Sequence, residues 1–176
     1  GFPYPEVTVF TLLSQRSGLP KFEDFIEKIE PEPAELSKKY ISNHDILNLL
    51  IRYKPELARA TNTGFMYCNT NYALLALLVE HATKIPFPEA MQQIVFCPLK
   101  MKQTYILQEK DLESAAKSFY QRGPRVYPYD RLDLIYGDKN VYTTPRELLN
   151  FSKAMFAKNF LREDLYKMVF EPYSNE

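Results

Sequence analysis

Between residues 70 and 83 the apolar side chains Leu75, Leu78, Val79 and Ala82 recur at steps of three and four, with Tyr72 one turn earlier. That spacing predicts one buried helical face. Nothing in this stretch breaks a helix, so about 14 residues make a rod of roughly 21 Å, with Asn69 or Thr70 at its N-cap. Residues 42–53 predict a second helix, capped by Ser42 or Asn43, with Asp45 at its positive end and Ile46, Leu49, Leu50 and Tyr53 inward. A third begins at Thr144-Pro145-Arg146-Glu147, which reads as cap, first helical residue and capping box, and sends Leu148, Phe151, Met155 and Phe156 inward. Shorter helical patterns cover 8–15 (Val9, Leu12 and Leu13 inward, stopped by Gly18 and Pro20), 22–29, 110–119, and the last apolar group Leu165, Met168 and Val169. Another starts at Pro88, carries Met91, Ile94 and Val95, and closes at Pro98.

Proline excludes regular helix from residues 2–6, and the charged, proline-punctuated run 30–39 reads as a surface connection. Leu99, Met101, Tyr105 and Ile106 suggest a short extended return to the core, and 123–136 a long loop. The sum is six to eight helices and little strand. This predicts an all-α fold for 1–176 as a single helical domain, without repeats.

Composition narrows the function classes. Lys plus Arg and Asp plus Glu are both 22, so no net field draws in nucleic acid or an anionic membrane. No apolar run approaches the roughly 20 residues of a membrane span, and Gly1-Phe-Pro-Tyr-Pro has neither a charged n-region nor an apolar h-region. Cys68 and Cys97 are expected to be buried small hydrophobes, although two cysteines are enough to pair. Only His44 and His81 exist; the first is expected to be solvated and the second structural. No HExxH, CxxC or glycine-rich phosphate loop occurs, so no metal and no cofactor is expected.

The candidate chemistry lies just before the 70–83 helix. Tyr67 and Asn69 are two residues apart, a spacing that puts both side chains on one face of an extended segment. A phenol and an amide would then project beside a helix N-terminus, whose N–H groups favour developing negative charge. Alone, Tyr-x-Asn is better described as a packed tyrosine and a capping asparagine.

The flanking residues shift that balance. Phe65-Met-Tyr67-Cys-Asn69-Thr-Asn71-Tyr72, an apolar helix, then Phe96-Cys-Pro98-Leu99-Lys-Met101 resembles the serine β-lactamase and penicillin-binding-protein superfamily, most of all its class C β-lactamase and esterase branch. Thr11-Leu-Leu-Ser-Gln-Arg-Ser17-Gly18-Leu19-Pro20 resembles that branch's "LLTHTSGLP", and Gly137-Asp-Lys-Asn-Val141-Tyr142-Thr143-Thr144 with Arg146-Glu147-Leu148-Leu149 resembles its "GGLYSTAEDL". The matches keep the family's order across nearly the whole chain.

The resemblance implies an acyl-enzyme hydrolase with Tyr67 as a base and Asn69 as a ligand of the substrate amide. It also implies that Asn69 hydrogen-bonds the lysine of a preceding Ser-x-x-Lys motif, that a Lys-Thr-Gly-type motif follows, and that the protein has a bacterial periplasmic or cell-envelope location. No Ser-x-x-Lys precedes Tyr67, and no Lys-Thr-Gly, His-Thr-Gly or Lys-Ser-Gly occurs. Ser114-x-x-Lys117 is the sole match to the first motif, out of order and in a charged stretch, so it is not assigned as nucleophile. The chain therefore reads as the helical region between the family's first and third motifs. On this reading it is inactive in isolation, and its partners are a missing α/β sheet domain and a small-molecule or peptide substrate of the parent. A non-catalytic binding or regulatory module of the same fold, and an unrelated helical interaction domain, stand as alternatives. Three departures are local: Cys68 replaces the family's usual serine, a small-for-small change, Gln15-Arg16 replaces His-Thr at a position not expected to be catalytic, and Asn140 replaces a glycine.

Overall fold

The computed structural model describes residues 1–29, 33–34, 36–121 and 123–173. Much of the run 30–39 lies outside them, so its reading as a surface connection is tested only in part. Among the described residues the chain is mainly helical. In order come α1 (Val9–Leu13), α2 (Phe22–Ile26), α3 (Asn43–Tyr53), α4 (Asn69–Thr83), α5 (Phe87–Met91), β1 (Tyr105–Ile106), β2 (Val141–Tyr142), α6 (Pro145–Phe156) and α7 (Glu163–Val169). A π-helical turn, Gln92–Phe96, extends α5. The two strands pair antiparallel, Tyr105 with Tyr142 and Ile106 with Val141.

α4 is the axis. It packs against α1, α3 and α5 and separates two apolar clusters. The larger is built on Phe22, Ile41, Ile46, Leu49, Leu50, Leu74 and Leu77, and the smaller on Ala76, Phe87, Phe96, Met101 and Ile106. Its buried residues are Thr70, Asn71, Ala73, Leu74, Ala76 and Leu77. The predicted stripe is therefore turned: Leu75 and Val79 are half-buried, Leu78 and Ala82 exposed. The cause is that α4 is apolar around most of its circumference, so its own period does not select a face.

α3 is as predicted at its start. Ser42 caps it through Asp45 N at 3.2 Å, and Asp45 Oδ2 accepts from Ser42 N at 2.9 Å. Ile46, Leu49 and Leu50 are fully buried, whereas Tyr53 is exposed. Buried Asn43 ties three parts of the chain together. Its Nδ2 donates to Ala73 O at 3.0 Å and Tyr136 O at 2.7 Å, and its Oδ1 accepts from Tyr136 N at 3.1 Å.

α1 is capped by Thr8 and Thr11 in a reciprocal box, with Thr11 and Leu12 buried. Val9 and Leu13, expected inward, are exposed. In α6, Thr144 Oγ1 accepts from Glu147 N at 3.3 Å, but the Glu147 carboxylate does not return to the cap. It accepts from Gln103 N at 2.9 Å and from Thr104 Oγ1 at 2.6 Å, tethering α6 to the turn before β1. With Glu147 inward, Phe151 and Met155 follow on the same face one and two turns later. Leu148 and Phe156 are swung outward, and Phe156 is 74% exposed. In α7, Tyr166 is buried while Met168 and Val169 are exposed.

The helix expected over 110–119 does not form. A single 3-10 turn, Glu109–Asp111, stands there, closed by Asp111 Oδ2 accepting from Gln108 N at 3.0 Å. Cys97 is exposed rather than buried; it and buried Cys68 are both free. His81 is exposed on α4, and His44 is largely exposed near Glu80. No helix among the described residues is long and apolar enough to cross a membrane.

Candidate active site

Cys68 organises the site. It is extended (φ −150°, ψ 115°), fully buried, and precedes the first residue of α4. Its Sγ donates to Leu19 O at 3.3 Å, and burial pushes its thiol pKa up. Because neighbours in an extended segment face the opposite way, a buried Cys68 sends Tyr67 and Asn69 outward. Tyr67 is 57% exposed, and its hydroxyl has no hydrogen bond among the described residues. The cap that Asn69 or Thr70 was expected to supply is absent: the N-cap is Cys68, with no side-chain bond to the helix.

Each polar residue that follows has a separate task. Asn69 Nδ2 donates to Glu23 Oε1 at 2.7 Å. A carboxylate only accepts, so the amide orientation is set, and Asn69 Oδ1 is left as an acceptor. Thr70 Oγ1 accepts from Phe22 N at 2.8 Å and donates to Pro20 O at 2.8 Å, holding α2 beside the start of α4. Asn71 Nδ2 donates to Gln15 Oε1 at 2.6 Å, and Asn71 Oδ1 accepts from Ser17 Oγ at 2.5 Å. Next to Ser17, Gly18 lies against the backbone of residues 58–60, where Ala58 N donates to its carbonyl at 2.9 Å. It has φ +76°, and a Cβ there would stand 1.8 Å from Arg59 O.

Two carboxyl groups add negative character. Glu23 Oε2 is buried without a hydrogen-bond partner, and neither buried oxygen of Asp138 makes a well-formed hydrogen bond. Burial pushes the Asp138 pKa up to about 6; Lys139 and nearby backbone amides oppose the rise and Glu23 adds to it. Glu23 was not singled out in the sequence, where it is one acid among many in a charged stretch. Only the fold places it against Asn69.

Ser114 and Lys117 are not an alternative nucleophile pair. Ser114 Oγ donates to Asp111 O at 3.2 Å and Lys117 Nζ to Leu112 O, in a turn region rather than on one helical face. Among the described residues no group of three or more His, Cys, Asp or Glu side chains could hold a metal.

Comparison with known proteins bears on the chain as a whole. Residues 1–175 match the family described as Beta-lactamase. Penicillin-binding protein 4* of Bacillus subtilis (strain 168) is 28% identical over 192 residues, an alignment covering 98% of this chain and 40% of that protein. The penicillin binding protein from Bacillus halodurans has the same fold: its TM-score is 0.76 at 22% identity, over 98% of this chain and 53% of that one. D-amino acid amidase from Ochrobactrum anthropi SV3, complexed with D-phenylalanine, gives a TM-score of 0.68 at 23% identity, over 90% and 47%. The chain thus spans about half the length of the relatives it matches. With its motifs in order along the sequence and the family match running over nearly every residue, the chain belongs to the Beta-lactamase family.

Proposed function

We propose that this chain is the helical part of a serine hydrolase, lying between a nucleophile motif and a closing Lys-Thr-Gly-type motif carried elsewhere in the whole protein. Tyr67 is the base that takes the serine proton. Asn69, its Nδ2 held by Glu23, offers Oδ1 to an ammonium or to a substrate N–H. The serine oxygen then bonds to the acyl carbon, the amine or alcohol leaves with a proton, and water releases the acyl group. The observation that carries this reading is the exposed phenol on one side of a buried Cys68, with Asn69 at the first turn of the longest apolar helix.

The names of the similar proteins, a penicillin-binding protein and a D-amino acid amidase, favour an acyl-D-amino acid, a D-amino-acid peptide, a β-lactam or an ester as substrate. They also agree with a bacterial cell-envelope setting. The remainder of the fold has two surfaces to pack on. One is an open apolar groove of about 720 Å³ lined by Val7, Leu12, Leu47, Ile51, Leu74 and Leu77. The other is the exposed face of α6 and α7.

In the full-length protein, Tyr67→Phe is expected to slow acylation about 10²- to 10⁴-fold. The folding free energy should change by less than about 0.5 kcal/mol, because the side chain is exposed and unbonded. Burst kinetics with a chromogenic β-lactam and with a D-amino-acid amide measure the first quantity, and urea unfolding the second. Unchanged acylation removes Tyr67 from the mechanism. The 176-residue chain alone is expected to hydrolyse neither substrate and to take no label from a serine-directed phosphonate; stoichiometric labelling overturns the division of motifs.

A further inference from the structure

We propose that Gln15 is the positioning residue for the Tyr67 phenol, which it places by gripping the backbone on both sides of that residue. The inference rests on the reading of Tyr67 as base. Gln15 O accepts from Met66 N at 2.8 Å, and Gln15 Oε1 accepts from Cys68 N at 3.0 Å. In an extended segment the N–H groups of residues i and i+2 point to the same side. Gln15 therefore supplies with one residue the two acceptors that a neighbouring strand would supply with two.

Three further observations separate this from ordinary packing. Gln15 has φ +57°, a left-handed conformation just past the end of α1 where glycine is usual. A glutamine stands there because its side chain is used: it is buried, and its Oε1 also accepts from Asn71 Nδ2 at 2.6 Å. Asn71 is braced in turn by Ser17, whose Oγ accepts from Leu19 N at 3.1 Å. Finally, the Tyr67 side chain has no hydrogen bond of its own among the described residues, so its place is set through its backbone. A catalytic group displaced by about 1 Å can lose about 100-fold in rate, and a clamp on the two flanking amides is what prevents that displacement.

Gln15→Met keeps the side-chain length and removes the acceptor, whereas Gln15→Glu keeps an acceptor at the same reach. In the full-length protein, Gln15→Met is expected to speed hydrogen exchange at the Cys68 amide at least about tenfold, with the Leu49 amide of α3 unchanged. It should lower kcat about 10- to 100-fold with KM changed less than about twofold. Gln15→Glu should restore both. If Gln15→Met does not fold, Gln15→Asn, one carbon shorter, takes its place. Unchanged exchange at Cys68, equal acceleration at Leu49, or full kcat despite lost protection each overturns the proposal. Full activity of Tyr67→Phe instead overturns the reading of Tyr67 as base, while amide exchange still scores the clamp.

Discussion

Asp138 holds its carboxyl in the interior without a well-formed partner, and this has a consequence in pH. Its pKa rises from 3.8 to about 6 in the fold, chiefly through burial. A raised carboxyl pKa means that the native state keeps the proton longer than the unfolded chain does. The associated stability is complete below about pH 4 and is lost as pH rises through about 6. Asp138→Asn is expected to flatten that fall, and to leave the protein about 1–2 kcal/mol more stable than the wild type at pH 7. Urea midpoints of both proteins at pH 4, 5, 6 and 7 measure it; a stability of the wild type relative to Asp138→Asn that does not fall across this window contradicts the assignment. Other single residues divide by how far their partners lie along the chain. Asn140, standing where the family has glycine, takes φ +74° and donates through Nδ2 to Asp133 O and Ile135 O, partners within seven residues. Its tolerance of the left-handed turn was legible for that reason. Gln15 and Glu23 act on Cys68 and Asn69 across 53 and 46 residues. No local pattern reveals such a pairing.

The helices repeat this division. α3 and the start of α6 carry their own signals, Ser42 with Asp45 and Thr144 with Pro145, and both begin where those residues predict. The 110–119 segment also read as helical, yet only the three residues Glu109–Asp111 form a 3-10 turn there, although the Gln108–Asp111 pair caps its start. The facing of α4 and α6 was decided by neighbours. Gly137 shows how closely those neighbours approach α4: it has φ +99°, and a Cβ there would lie 2.3 Å from Tyr72 O and 2.9 Å from the Ala76 Cβ. Gly137→Ala is therefore expected to destabilise by about 2–4 kcal/mol, from the left-handed backbone together with the forced separation from α4. Thermal unfolding of the variant measures it. A loss below about 0.5 kcal/mol would mean that the 137–140 turn does not rest against α4 as described.

The whole molecule exposes a large apolar face at its C-terminal end. Leu148, Leu149, Phe156, Met168, Val169 and Phe170 are all exposed, and the Phe156 and Phe170 rings stack at 5.9 Å. Exposed apolar patches of this kind mark surfaces that pack against something else, which agrees with a chain spanning about half the length of its relatives. In the 176-residue chain, Phe156→Ser is expected to change stability by less than about 0.5 kcal/mol and to reduce binding of an apolar dye. In the full-length protein the same change should cost about 1–3 kcal/mol if the proposed remainder of the fold covers this ring. Equal, small effects in both settings would show that this face stays open.

Helix positions, caps, turn residues and the family motifs were all written within short windows of the chain, where spacing and residue type act directly on the backbone. The outward side of α4, the rotation of α6, the clamp of Gln15 on Met66 and Cys68, and the hold of Glu23 on Asn69 were settled only on folding. Each joins groups that the chain leaves far apart, and each was selected by how apolar surface and hydrogen bonds were satisfied together.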